Sequence, residues 1–350
     1  MTVRRISRPV SVGDVVIGGE SAVSIQSMTN TDTVDIKATK LQLNNLCNAG
    51  AELVRIAVPD ERAAESLKEI TKKSKVPIIA DIHFRCELAM AAMDSNIKKI
   101  RINPGNIGGI ENLIKISEKA KKKNIALRIG VNSGSIEKKI RESYGGATPD
   151  ALVASALNYV TALEKTGFTD IVISLKASDV RTTYQSYKLM AEKSTYPFHI
   201  GITEAGPLYR GSIKSAVGIG ALLLEGLGDT VRVSLSADPV KEVEAAKLIL
   251  QATGVRSFGP ELISCPTCAR CDIDVLALAE EVEILIKNIN KPLKVAVMGC
   301  AVNGPGEARD ADIGISGTKG YGLIFRDGTI IKRVAREDLM EALKDELNKL

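Results

Sequence analysis

Four side chains in the last quarter of the chain have the types and spacing of a metal centre. Cys265 and Cys268 form a C-x-x-C pair, and Cys300 and Glu307 follow in the string Gly299-Cys300-Ala301-Val302-Asn303-Gly304-Pro305-Gly306-Glu307. Thiolates hold borderline metals and iron-sulfur clusters, whereas an oxygen in the fourth position binds weakly and is more readily displaced. The set therefore suggests a cluster with one open iron. Cys271 offers an alternative, because it extends the run to the ferredoxin-like spacing C-x2-C-x2-C and could replace Glu307 as fourth ligand. Four thiolates would equally suit structural zinc. A lone C-x-x-C is also shared with redox dithiols, but its coupling to a distant cysteine in a glycine-rich loop points to metal.

A second group of polar residues lies earlier in the chain, inside apolar runs. Side chains two apart on a strand share a face, and that spacing joins Asp81 with His83, Arg101 with Asn103, Ser174 with Lys176 and Arg232 with Ser234. Arg55 stands within Leu-Val-Arg-Ile-Ala-Val, Arg128 and Asn132 flank Ile129-Gly130-Val131, and Glu204 ends a further run. If these strands share one cavity, Arg55, Arg101, Arg128, Lys176 and Arg232 converge there, with Asp81 and Glu204 the only acids in the set. Unpaired buried charge is too costly to keep without a partner, so the pattern implies a polyanion, with phosphate or diphosphate the best fit. His83 reads equally well as functional or as a hydrogen-bonded core histidine. His199 opens its strand, away from the mouth at the strands' C-terminal ends, and reads as structural. Cys47 and Cys86 fall in helical segments and read as small buried hydrophobes.

The elements that must position these residues are legible as eight β-branched runs, at 23–28, 53–58, 77–84, 99–103, 126–132, 170–176, 199–204 and 230–236, each followed by an amphipathic segment. Strand-then-helix repeated eight times, without a glycine-rich dinucleotide fingerprint after the first strand, predicts a (β/α)8 TIM barrel over residues 1–254. Residues 255–350 then read as a small α+β domain. It would hold a helix at 272–290, strands at 293–298, 312–315, 322–325 and 329–332, a hairpin turn at Asp327-Gly328 and a final helix from Ala335. A metal clipping two loops of so small a core would contribute to its folding.

Composition narrows the function classes. The chain has 350 residues, 45% hydrophobic, with a net charge of +5, and no apolar run reaches membrane-spanning length. The N-terminus shows no signal-peptide pattern, so a cytoplasmic protein without a membrane partner is expected. Only 3% of residues are aromatic, which argues against a nucleic-acid surface. Six cysteines, unevenly spread, do not make a disulfide framework.

Taken together, Ile25-Gln-Ser-Met-Thr29, Ala80-Asp-Ile-His-Phe84, Ile100-Arg-Ile-Asn-Pro-Gly-Asn106, Arg128-Ile-Gly-Val-Asn-Ser-Gly134, Cys265-Pro-Thr-Cys268 and Met298-Gly-Cys-Ala-Val-Asn-Gly-Pro-Gly-Glu307 carry a resemblance. The chain resembles, end to end, the 4-hydroxy-3-methylbut-2-enyl diphosphate synthase family of the methylerythritol phosphate route to isoprenoids. The resemblance implies a (β/α)8 barrel joined to a sulfite-reductase-like α+β iron-sulfur domain. It also implies a [4Fe-4S] cluster, and a homodimer in which one subunit's cluster domain meets its partner's barrel. By that match, Cys265, Cys268, Cys300 and Glu307 would be the cluster ligands, Glu307 being the one that yields to substrate. Arg55, Arg101, Arg128, Lys176 and Arg232, assisted by Asn132 and Ser234, would hold the diphosphate, and Asp81, His83 and Glu204 would stand near the reacting carbons. The implied substrate is 2-C-methyl-D-erythritol 2,4-cyclodiphosphate, and the implied electron donor is reduced flavodoxin or ferredoxin. Cys271 departs from the family's ligand pattern and leaves the fourth ligand open. Two other readings stay in view. A non-catalytic iron-sulfur carrier would leave the polar strands without a purpose, and a barrel enzyme with a structural module would bind zinc instead of iron.

Overall fold

The β-branched runs form eight parallel strands, β3 (Ser24–Met28), β4 (Leu53–Ala57), β5 (Ile78–Ile82), β6 (Lys99–Ile102), β7 (Ala126–Asn132), β8 (Ile171–Lys176), β9 (His199–Ile200) and β10 (Thr230–Val231). They follow a short antiparallel hairpin, β1 (Val10–Val12) and β2 (Val15–Ile17). In the computed structural model the described residues are 3–300, 306 and 308–350, and the chain divides into two units, Met1–Arg256 and Ser257–Leu350.

In the first unit each strand pairs with its neighbour in sequence, β10 returns to β3, and a bridge between Ile173 and Phe198 joins β8 to the β9 side, closing the barrel. Helices cover the outside, so the strands are buried on both faces, as an all-parallel sheet requires. Several of those helices start on a side-chain cap. Asp60 accepts from the Ala63 amide at 2.8 Å, Asp179 from Thr182 at 2.6 Å and Asp238 from Val240 at 2.9 Å.

Val10, Val12 and Ile17 of the hairpin pack with Leu53, Ile79, Ala126 and Val172 in one buried apolar cluster. These four are the first inward-facing residues of β4, β5, β7 and β8, so the hairpin stops the N-terminal end of the barrel. The polar interior therefore opens only toward the C-terminal ends of the strands. Sequence periodicity missed this plug because each of its strands is three residues long.

Two corrections concern the barrel. The strands expected at 199–204 and 230–236 shrink to two residues each, β9 and β10. Gly201 draws the backbone so close to β10 that a Cβ there would lie 2.4 Å from the Arg232 carbonyl oxygen. Beyond it the ladder opens, touching again only at the bridge between Pro207 and Ser236.

The second unit is a five-stranded sheet in sequence order, β11 (Glu261–Ser264), β12 (Lys294–Met298), β13 (Ile313–Gly317), β14 (Gly322–Arg326) and β15 (Thr329–Val334). The first three strands run parallel and the last two pairings are antiparallel, the β14–β15 turn being Asp327-Gly328 with both φ angles positive. Its core gathers Val282, Ile286, Val295, Val297, Ile313, Ile315, Ile324 and Leu343. Strand β11 was not expected; it is four residues long and has no clean alternation of burial. The helix expected at 272–290 is Val275–Ile286, started by Asp274 accepting from Ala277 at 3.1 Å. The final helix begins at Leu339 and not at Ala335, because residues 335–338 close a turn in which the Asp338 amide donates to the Ala335 carbonyl at 3.1 Å. Among the described residues no helix is long and apolar enough to cross a membrane.

Candidate functional site

The alternation of the barrel strands turns their polar residues inward. Arg101 of β6 pairs in register with Asp81 of β5 on one side and with Arg128 of β7 on the other, and Asn132 of β7 pairs with Lys176 of β8. Asp81 is the hub. Its Oδ1 lies 3.2 Å from Arg101 Nη1, and its Oδ2 lies 3.6 Å from Arg55 Nε and 3.2 Å from His83 Nε2. His83 Nε2 is also 3.2 Å from Arg101 Nη1, while about half of its side chain (47%) stays exposed.

Burial alone would raise the Asp81 carboxyl, but the Arg55 guanidinium, the hydrogen bond to His83 and the Arg101 charge hold it well below the usual carboxylate range. Asp81 is therefore an anion that orients its neighbours and has no proton to give at neutral pH.

The five expected cations are brought together, and a sixth joins them. Lys176 loses affinity for its proton first through burial and then through the charges of Arg128, Arg232, Arg55 and Arg101. Arg128 is held down by burial and then by Arg55 and Arg101. Arg232 is pushed down to about 10 by burial and then by Arg55, against the pull of Glu242. Lys99, missed in the sequence, is fully buried beside Arg128 and Arg55 and is likewise pushed well down, burial leading. His199 is also inside this set, fully buried with Nε2 3.5 Å from Lys176 Nζ. Burial, then Arg128, Lys176, Lys99 and Arg55, keep its imidazole neutral far below the ordinary histidine range.

Compensation by acids is sparse. Besides Asp81 there is Glu242, which sequence reasoning also missed. It projects from the helix Pro239–Ala252, pairs with Arg232 Nη2 at 3.3 Å and accepts from the Leu235 amide at 2.9 Å. Buried Nε atoms of Arg101, Arg128 and Arg232, Arg128 Nη1 and Lys99 Nζ have no hydrogen-bond partner among the described residues. Donors of this kind, with their charge, make a site for a multiply charged oxyanion.

Two glycines provide the room. A Cβ at Gly130 would lie 3.0 Å from Ser174 Oγ and 3.1 Å from Arg101 Nε, and one at Gly201 would lie 2.7 Å from Lys176 Nζ. Where Gly130 of β7 and Gly201 just after β9 lack side chains, Arg101, Ser174 and Lys176 extend instead.

At the mouth, Asn132 is half-buried, its amide 3.2 Å from Ser135 Oγ, and Ser234 is half-buried after β10. Glu204 is exposed on the segment after β9, with φ at 53°, a left-handed conformation that glutamate seldom adopts. No contact joins Glu204 to the cation set among the described residues. Cys86 is buried and Cys47 half-buried, and burial raises both thiols, as expected of packing residues.

In the second unit the chain after β11 and the chain after β12 abut, the Asp272 amide donating to the Gly299 carbonyl at 2.8 Å. Cys265 Sγ accepts from the Gly299 amide at 3.2 Å, and Cys271 Sγ accepts from the Cys268 amide at 3.3 Å. A Cβ on Gly299 would lie 2.6 Å from Cys271 Sγ, so this glycine is what lets the two loops close on each other. The Arg270 amide and side chain lower the exposed Cys268 thiol. The structure thus gathers Cys265, Cys268 and Cys271 on one loop beside the one carrying Cys300, while Glu307 lies outside the described residues. Among the described residues no three histidine, cysteine or carboxylate side chains come together closely enough to hold one metal ion, so it is the chemistry of the donors, soft sulfurs from two adjoining loops, that suits a thiolate-held iron-sulfur cluster.

Comparison with known proteins places both units of the chain in one family. Residues 7–247 match the family described as "GcpE TIM-barrel domain" and residues 261–349 the "GcpE protein C-terminal domain". A relative from Geobacillus kaustophilus, named 4-hydroxy-3-methylbut-2-en-1-yl diphosphate synthase (flavodoxin), is 53% identical over 99% of this chain and 93% of its own. One of the same name from Caldanaerobacter subterraneus is 54% identical over 99% of this chain and 98% of its own. Among solved structures, dihydropteroate synthase from Stenotrophomonas maltophilia covers 72% of this chain and 100% of its own with a TM-score of 0.51 at 14% identity, a likeness of fold.

Proposed function

The chain belongs to the GcpE family, and from that premise we propose that it is a 4-hydroxy-3-methylbut-2-enyl diphosphate synthase. Its substrate is 2-C-methyl-D-erythritol 2,4-cyclodiphosphate. Two electrons and two protons enter, the ring opens at a carbon–oxygen bond, one hydroxyl leaves as water, and the allylic diphosphate remains. The observation that carries this reading is the barrel interior, in which six cations face two carboxylates and buried guanidinium nitrogens lack partners.

Arg55, Arg101, Arg128, Lys176 and Arg232, with Asn132 and Ser234, hold the diphosphate. Ring opening turns a cyclic diester into a terminal diphosphate and so adds charge at the phosphate, where these donors are already fixed in place. Asp81 keeps Arg55 and Arg101 aimed, and His83 bridges Asp81 and Arg101 at the mouth. Glu204 is the proton donor to the departing hydroxyl. Its exposure beyond β9 and its strained backbone support that role, since strained conformations cluster at working sites.

Cys265, Cys268 and Cys300 would hold a [4Fe-4S] cluster, with Glu307 as the weaker fourth ligand. When bound there, such a cluster would supply single-electron transfer, with reduced flavodoxin or ferredoxin as the donor. The enzyme works in the cytoplasm as a homodimer. On the helix Leu208–Leu224, Tyr209, Ile213, Val217 and Leu224 are each at least half exposed at helical spacing, an apolar stripe of the kind that self-association covers. If each cluster unit serves its partner's barrel, mixing an Arg128→Met subunit with a Cys300→Ser subunit restores turnover that neither has alone. The assay of function is anaerobic: cyclodiphosphate, reduced flavodoxin and the cluster-loaded chain, with the product identified by mass. Substrate returned unchanged while bound iron is intact overturns the proposal.

A further inference from the structure

Cys271 is the sulfur that the proposed cluster does not use. Residues 268–271 form a turn closed by the Cys271 amide and the Cys268 carbonyl at 3.0 Å. Such a turn holds its end Cα atoms within about 7 Å of each other, close to the span that a disulfide bridges. The Cys268 amide donates to Cys271 Sγ at 3.3 Å, which directs the Cys271 side chain back over the turn toward Cys268. Cys268 is exposed and Cys271 half-buried against Gly299 and Val275. Cys265 and Cys271 both pack against the apolar core of this unit, but the Cys265 sulfur accepts from the Gly299 amide at 3.2 Å, whereas the Cys271 sulfur accepts from the Cys268 amide.

We propose that Cys268 and Cys271 form a peroxide-reactive dithiol, so that a chain without its cluster stores Cys268 as a reversible disulfide. Cys268 sulfur attacks one peroxide oxygen, the O–O bond breaks, and the first water leaves with a proton from the medium. Cys271 sulfur then displaces the hydroxyl from the Cys268 sulfenic acid as a second water and forms the S–S bond. The pair gives up two electrons and the peroxide is reduced to two waters. Without a neighbouring thiol, further peroxide would carry Cys268 to the sulfinic acid, from which a ligand is not recovered. The proposal rests on the reading above only in taking Cys268 as a cluster ligand.

The test uses the full chain, cluster-free and cluster-loaded, treated with hydrogen peroxide, alkylated and cut with trypsin. Cleavage after Arg270 separates Cys271 from Cys265 and Cys268. A Cys268–Cys271 bond therefore joins two peptides, whereas a Cys265–Cys268 bond stays inside one. The expected result is the joined pair, with fragmentation placing the bond at Cys268, formed in the cluster-free chain and suppressed in the loaded one. After reduction, wild type regains its iron in full. Cys271→Ser binds the same iron before oxidation, but afterwards carries Cys268 with two added oxygens and fails to reload in proportion. A bond inside one peptide, or equal reloading of both chains, overturns the proposal. So does Cys271→Ser that never binds iron, because Cys271 is then a ligand. A cluster-free chain that forms the joined pair yet takes up no iron leaves the dithiol standing and fails the cluster reading instead.

Discussion

Replacing Arg128 by methionine should move stability and anion binding in opposite directions. Arg128 is 2% exposed, its Nε and Nη1 have no partner among the described residues, and its nearest charges include Arg55, Arg101 and Lys176. Replacing a poorly compensated buried ion with an apolar side chain of similar length is neutral or stabilising by about 1–4 kcal/mol. For a unit of this size each kcal/mol is worth about 2–4 °C, so the ligand-free variant should melt at the wild-type temperature or several degrees higher. The loss appears when the anion binds. Each hydrogen bond to a charged group is worth about 1.5–3 kcal/mol, so one lost contact weakens diphosphate binding about tenfold to a hundredfold. The assay is thermal unfolding with and without inorganic diphosphate. At a hundred times its dissociation constant, the anion should stabilise wild type by about 2.7 kcal/mol and the variant far less. A variant that melts lower without the anion, yet shows the full diphosphate shift, would refute the idea that Arg128 is kept for a ligand.

Three further outcomes follow from the same interior. His199 is held neutral, so below about pH 6.5 the unfolded chain takes up a proton that the folded chain refuses, and stability falls by at most about 1.4 kcal/mol per pH unit. In His199→Gln, urea midpoints between pH 7 and 5.5 should lose that part of the slope; an unchanged slope means that His199 titrates normally. Gly201→Ala sets a Cβ against the Arg232 carbonyl and Lys176 Nζ, so it should cost about 1–3 kcal/mol in urea unfolding and weaken diphosphate binding, and wild-type behaviour in both contradicts the close approach. Glu204→Gln should lower kcat about a hundredfold or more with little change in KM, whereas a wild-type rate across pH removes Glu204 from the acid role.

Much of the barrel was legible because β3 to β8 are short apolar runs separated by amphipathic segments, and the two-residue period of strand side chains gathered Arg55, Arg101, Arg128 and Lys176 on the inner face. Lys99 obeyed that rule too, two positions before Arg101 at the start of the 99–103 run, and was passed over there. Glu242 was not legible. It sits on a helix, and its partner Arg232 is set by how that helix lies on the barrel, which spacing along the chain does not encode. His199 looked structural from its place at a strand start, yet a strand start in a plugged barrel still faces the interior. In the second unit the thiol spacing announced a metal, but the turn that faces Cys271 toward Cys268 depends on a contact with Gly299, a residue distant in sequence. Strand β11 and the hairpin β1–β2 were too short to show a period.

The function proposed above needs one chain to join a cation-lined diphosphate site to a thiolate-held cluster that serves it. Iron, sulfide and zinc should be measured on anaerobically purified chain, with electron paramagnetic resonance of the reduced form before and after adding the cyclic diphosphate. Iron and sulfide should appear in equal amounts, about four of each for the proposed [4Fe-4S] cluster, with little zinc and a spectrum that changes when the cyclic diphosphate binds. Stoichiometric zinc without iron, or a cluster spectrum indifferent to saturating cyclic diphosphate, would contradict it.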